Sequence, residues 1–179
     1  LWEMGLDHGV FHGGMEQEDR EKALLKFRNG TYRLLITTDL ASRGLDIPEI
    51  EYVIHYQLPH NEEAFLHRNG RTARMQSGGT AYVIFAEGEK PLFLSDSIEV
   101  ETLPEKDVIP ENTDWVTVYI GAGRKDKVNK IDVAGLLMKK GKLGKDELGL
   151  IEVQDFSSFA AVSRRKVQGM LRSEEHTSE

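Results

Sequence analysis

The feature that most constrains this chain is a recurrence of apolar runs too short to be helices, interleaved with segments of helical period. Residues 32–38, 52–56 and 80–85 are such runs. Stretches of 10–15 residues with helical periodicity precede the first run and separate the second from the third, while a short loop and turn over 39–48 separates the first from the second. In residues 16–28, Ala23, Leu24 and Phe27 fall on one helical face, with acids in the first turn and Lys26 and Arg28 in the last, as the helix dipole favours. Asn29-Gly30 closes that helix. Asn61 can cap another, with Glu62 and Glu63 in its first turn, running to about residue 74. Strands alternating with helices of this length form βαβ units, so an α/β fold with a parallel sheet covered by helices on both faces is predicted.

At the start, residues 1–4 read as a last helical turn with Gly5 as its left-handed cap, and Val10-Phe11 as a short strand. From residue 94 to 113 the periodicity disappears and acids and prolines accumulate, which marks a linker. A second module follows. Trp115–Ile120 alternates Val116, Val118 and Ile120 against Trp115, Thr117 and Tyr119. A Gly-Ala-Gly turn leads to a helix over 130–140, with Ile131, Ala134, Leu137 and Met138 on one face. Strands at 150–154 and 159–163 and a basic helix from Arg164 complete the order β-α-β-β-α, that of a small α+β ferredoxin-like domain lacking its last strand. The expected division is residues 1–93, a linker over 94–114, a module over 115–172, and a tail over 173–179. The chain is read as truncated at both ends. The tail resembles a translated sequencing adapter and is set aside as an artefact.

Charge divides the same way. Residues 1–120 carry 11 basic and 21 acidic side chains, whereas residues 121–172 carry 12 basic and 6 acidic. A basic module behind an acidic body fits polyanion binding, although a Lys-rich solvated surface gives the same count. No apolar run reaches the roughly 18 residues of a membrane helix. With no cysteine in the chain, disulfide frameworks, Cys-ligated zinc and thiol catalysis are excluded. The histidines His8, His12, His55 and His60 show no metal-ligand spacing, and structural or surface roles are assigned to them.

Two constellations carry chemistry. TTDLASRGLDIP (37–48) stands where a parallel strand ends, the edge at which open α/β sheets bind ligands. Its hydroxyls, Gly44 and Arg43 suit phosphate, and Asp46 suits ribose hydroxyls; a polar turn with a helix cap is the alternative. HRNGRTAR (67–74) ends a helix with Arg68, Arg71 and Arg74 three apart on one face, where they repel unless an anion sits opposite. Forked guanidinium groups suit phosphoryl oxygens and stabilise the charge that develops in phosphoryl transfer. The alternative is simple placement of cations at a helix C-terminus.

Together these two segments resemble motifs V and VI of DEAD-box RNA helicases, and HGGMEQEDREKALLKFRNG (12–30) resembles that family's motif IVa region. Residues 1–93 are thus similar to the second RecA-like domain of the family. Residues 115–172, above all GRKDKVNKIDVAGLL, resemble the RRM-like RNA-binding domain of its DbpA/YxiN branch, and Ala73, where most relatives carry Gly, fits that branch. The resemblance implies that Asp46, with Gly44, Arg71 and Arg74, binds ATP, with Arg71 and Arg74 as arginine fingers on the γ-phosphate. It makes His67 and Arg68 couple the nucleotide site to RNA. Gln17, Arg20, Thr38, Arg43 and Gly44 would hold RNA backbone, contacts that position without reading sequence. In the second module, Tyr119 would stack a base and Arg124, Lys125 and Lys127 would contact RNA. Asn69 replaces the usual Ile and Met75 the usual small residue.

The chain has no G-x-x-x-x-G-K-[ST] phosphate loop and no Asp-Glu-Ala-Asp run. ATP and Mg²⁺ are therefore expected to be held mainly by an N-terminal RecA-like domain outside this sequence, and the 179 residues alone are expected to be inactive. The expectation is a cytoplasmic, monomeric part of an ATP-dependent RNA helicase that unwinds short duplexes, with RNA, in this branch ribosomal RNA, as partner in ribosome biogenesis, no membrane and no metal ligand of its own. The competing readings are a DNA-directed superfamily 2 helicase and a non-catalytic RNA-binding adaptor.

Overall fold

The structure is a computed structural model that describes residues 1–39, 50–70, 79–106 and 108–175, the last four of these by backbone alone. It contains two compact units, residues 1–36 together with 109–179, and residues 37–108.

In the first unit a 3-10 turn, Trp2–Met4, ends on Gly5 at φ 75°. Strand β1 (His8–Phe11) follows, then helix α1 (Gln17–Arg28) and strand β2 (Leu34–Thr37), which hydrogen-bonds to β1. Acids Glu18 and Asp19 open α1 and Lys26 and Arg28 close it, as the dipole requires.

The C-terminal part of this unit is a three-stranded antiparallel sheet: β5 (Trp115–Ile120), β6 (Leu148–Val153) and β7 (Ser158–Ser163), in the order β5-β7-β6. Helices α3 (Lys130–Lys139) and α4 (Arg164–Glu175) accompany it. The strand Trp115–Ile120 is the one the alternation predicts, residue for residue. Its inner side chains, Val118 and Ile120, pack on a core of Val133, Leu137, Leu143, Val153, Ala160, Val162 and Met170. Helix α3 begins at a reciprocal cap: Asn129 Oδ1 accepts from the Ile131 and Asp132 amides (2.8 and 3.2 Å), and Asp132 Oδ2 accepts from the Asn129 amide at 3.0 Å. The buried face of the helix is offset from the predicted one. Val133 and Leu137 are the buried pair, and Ile131 stands in the solvent-facing first turn, 81% exposed. Of Leu136-Leu137-Met138, only Leu137 is in the core.

The second unit is a β-α-β arrangement: β3 (Tyr52–His55), α2 (Glu62–Asn69) and β4 (Thr80–Val83). Strands β3 and β4 pair in parallel, with Tyr52 opposite Thr80 and His55 opposite Val83. This is the parallel pairing that alternating strands and helices predict. Asn61 caps α2 as expected, its side chain accepting from the Ala64 amide at 2.8 Å. The chain is thus α/β in its first two-thirds and α+β at its end.

Candidate nucleotide and RNA interface

The site begins where β2 ends. Thr38 and Asp39 are exposed there, and the Thr37 hydroxyl donates to the Thr38 carbonyl at 2.9 Å. Arg68, on the last turn of α2, reaches across to this segment. Its Nε donates to Asp39 Oδ1 at 2.6 Å and its Nη2 to Oδ2 at 3.1 Å, a two-pronged fork, while Nη1 donates to the Gln57 carbonyl at 2.9 Å. Fork-to-carboxylate pairing fixes the planes of both groups, which a lysine at position 68 could not do. Asp39 is thus an anion opposite Arg68, supplied by the protein itself. One guanidinium therefore ties the segment after β2 to the helix that leads into residues 71–74. His67, one position earlier, is exposed.

Beneath the fork lies a buried polar pair. His55, 2% exposed at the end of β3, makes a 2.7 Å hydrogen bond from Nε2 to Asn69 Oδ1. With Asn69 accepting, Nε2 carries the proton and Nδ1 is a bare acceptor, buried without a partner. Burial holds the His55 pKa below its ordinary value, the bond to Asn69 works the other way, and the nearby Arg68 charge adds to the lowering. The ring also lies 5.0 Å from that of Phe65, centroid to centroid. Asn69, the residue in place of the usual Ile, thus has a definite role here as the acceptor for His55.

In the first unit Gln17 and Arg20 share one turn of α1: Arg20 Nη2 donates to Gln17 Oε1 at 2.5 Å, and Gln17 Nε2 donates to Glu21 Oε1 at 2.6 Å. The structure brings these two predicted RNA contacts together. Tyr119 lies on the outer face of β5, 62% exposed and edge-on to Phe159, with ring centroids 5.5 Å apart. Arg124 is occupied by the β6–β7 connection. Its Nε and Nη2 donate to the Val153 carbonyl at 3.0 and 2.8 Å. The backbone is equally close there, since a Cβ on Gly123 would collide with the Gln154 carbonyl oxygen. Lys125 and Lys127 are exposed.

Arg43, Gly44, Asp46, Arg71 and Arg74 lie outside the described residues. Among the described residues no three His, Asp or Glu side chains converge to hold a metal ion, and no helix is long and apolar enough to cross a membrane. Sequence reasoning missed both the Asp39–Arg68 fork and the His55–Asn69 pair. Partners 29 and 14 positions apart leave no periodic trace.

Two family models match the chain: the helicase conserved C-terminal domain over residues 1–76, and the DbpA RNA-binding domain over residues 117–177. The ATP-dependent RNA helicase DbpA of Bacillus subtilis is 31% identical over 96% of this chain, and that of Escherichia coli is 35% identical over 90%. The chain belongs to the DbpA type of DEAD-box RNA helicases. It spans 42% and 37% of the lengths of those two DbpA relatives. Among solved structures, a DEAD-box protein from Methanococcus jannaschii is 40% identical over 46% of this chain and 23% of its own, with a TM-score of 0.43. In this DbpA-type chain the helicase match takes in the whole arginine segment and ends two residues past it, and the RNA-binding match begins inside β5.

Proposed function

We propose that this chain forms the second lobe and RNA-binding module of an ATP-dependent RNA helicase that opens short duplexes locally. The observation that carries the reading is the Asp39–Arg68 fork, which makes the segment after β2 and the arginine helix one mechanical piece within residues 37–70. A lobe of this kind works by presenting arginines to a nucleotide held on a second lobe. The chemistry on offer is charge neutralisation during phosphoryl transfer. Asp46, Gly44, Arg71 and Arg74 would hold ATP from this side, and Mg²⁺ would be held by the lobe that carries the phosphate loop. Gln17, Arg20, Thr38 and Arg43 would grip RNA phosphates and sugars, with His67 and Arg68 relaying closure between the two ligands.

The basic module would tether the motor to structured RNA, with ribosomal RNA during ribosome assembly in the cytoplasm as the setting. What supports this is the match to the DbpA RNA-binding domain and the surplus of lysine and arginine over 121–172. The test adds a purified phosphate-loop lobe of a DbpA relative to this chain and measures ATP hydrolysis with RNA and with DNA of the same sequence. RNA-stimulated turnover is expected only from the mixture. Turnover stimulated equally by DNA would support a DNA-directed helicase, and none with any nucleic acid would support an adaptor.

A further inference from the structure

The outer face of the antiparallel sheet carries Trp115, Thr117 and Tyr119 on β5, opposite Ser163, Ala161 and Phe159 on β7. The core cluster formed with α3 and α4 lies on the other side of that sheet. Nothing from the module's own core covers the outer face, yet Phe159 is only 7% exposed and Ala161 2%. Trp115 lies beside Ala161 next to Gly149, and Tyr119 packs on Phe159. The rest of the cover comes from α1 and the turn after it. Leu25, 4% exposed, lines a cleft with Phe159 and Tyr119. Asn29 Nδ2 donates to Thr117 Oγ1 at 3.2 Å, the Thr31 and Thr117 hydroxyls are 2.7 Å apart, and Thr113 Oγ1 donates to the Thr31 carbonyl at 3.2 Å. Arg28 and Glu152 form an ion pair at 3.4 Å. Gly30, at φ 72°, turns the chain so closely past Trp115 that a Cβ there would stand 3.4 Å from the indole.

We infer that the sheet face of the RNA-binding module is a protein-docking face whose occupant is residues 25–31 of this same chain, and that the module binds RNA without it. The contacts are those of a built interface: a buried leucine, a buried asparagine, a hydroxyl pair, a flanking ion pair and a glycine at the point of closest approach. The charges beside Tyr119 are satisfied within the protein. Glu18, Glu21 and Lys22 line the cleft, Glu18 pairs with Lys22 at 2.7 Å and Glu152 with Arg28, so the docked face offers phosphate no surplus of positive charge. Tyr119 stays 62% exposed, but Phe159, against which its ring packs, is covered. The exposed Lys125 and Lys127 remain available while the face is docked.

The chain contains no cysteine, so a designed pair reports cleanly. In Thr31→Cys/Thr117→Cys, two sulfurs replace hydroxyls 2.7 Å apart, within reach of the ~2.05 Å S–S bond. Mild oxidation of the full chain is expected to close this disulfide, seen as a faster band on a non-reducing gel, whereas the single variants Thr31→Cys and Thr117→Cys give no such band. Affinity for a fluorescein-labelled RNA hairpin with a single-stranded loop is then compared between oxidised and reduced forms. Each stacked base lost would cost about fivefold or more. A change smaller than that supports the docking face; a larger loss on locking makes the face an RNA platform and overturns the inference. Failure of the disulfide to form overturns it too. Arg28→Glu checks the interface without cysteines: it should raise amide exchange across β5 and β7, and adding Glu152→Arg should bring exchange back. No rise in Arg28→Glu, or no recovery in the pair, counts against it.

Discussion

Removing the Asp39 carboxylate should loosen α2 by an amount the geometry brackets. The fork consists of two charge-assisted hydrogen bonds, at 2.6 and 3.1 Å. Hydrogen bonds to charged groups contribute about 1.5–3 kcal/mol when well shielded, and exposed ion pairs about 0.2–1 kcal/mol. Arg68 has a side chain only 20% exposed whereas Asp39 is 60% exposed, so the pair stands between those limits, at about 1–2 kcal/mol. Because Asp39 and Arg68 each touch other groups, a double-mutant cycle of Asp39→Ala and Arg68→Ala isolates the shared term. Hydrogen–deuterium exchange of the α2 amides reads the local opening free energy directly. The expected coupling is about 1–2 kcal/mol at low salt, shrinking at 1 M salt, where the screening length is about 3 Å. Additive single mutants, with coupling below about 0.3 kcal/mol, would show that the fork does not hold the two segments together.

Further outcomes follow from neighbouring groups. Asn69→Ile, which installs the family's usual residue, removes the acceptor for His55 Nε2 and should cost about 1–3 kcal/mol of local stability by exchange, largely recovered in His55→Phe/Asn69→Ile. Because folding holds the His55 pKa below 6.5, the unfolded chain binds a proton more readily. Stability from this group is then fully present above the unfolded value and falls as pH drops through about 6.5, and His55→Phe should flatten that slope in thermal unfolding. Lys125→Ala and Lys127→Ala should each weaken RNA binding evenly across sequences and reduce the salt slope by about 0.7–1, measured by fluorescence anisotropy.

How much of this was legible in the sequence depends on the range of each interaction. Strand β5 could be read residue for residue because its alternation is strict and a Gly-Ala-Gly turn stops it. The Asn61 cap was equally clear, being a contact three residues long. Helix α3 is legible to within one residue, but its buried face is not, because apolar residues occur all round it (Ile131, Val133, Leu136, Leu137, Met138) and only packing on the sheet selects Val133 and Leu137. At the candidate site the residue types could be read and their partners could not. Arg68 declares a charge in need of an anion, yet only the fold brings up Asp39, and nothing local marks Asn69 as the acceptor for a histidine on another element. The docking of α1 against β5 was hidden for the same reason: Thr31 and Thr117 are 86 positions apart.

The motor reading stands on the arginines that follow α2. The most direct measurement of it is single-turnover ATP hydrolysis by the reconstituted pair of lobes with saturating RNA, comparing the native chain with Arg71→Ala and Arg71→Lys. An arginine that neutralises transition-state charge is worth about 10³ or more in rate, so both variants should lose most of that factor while RNA affinity without nucleotide stays level. Hydrolysis by Arg71→Ala within about tenfold of the native rate would contradict the account, because no such group could then be acting on the phosphate.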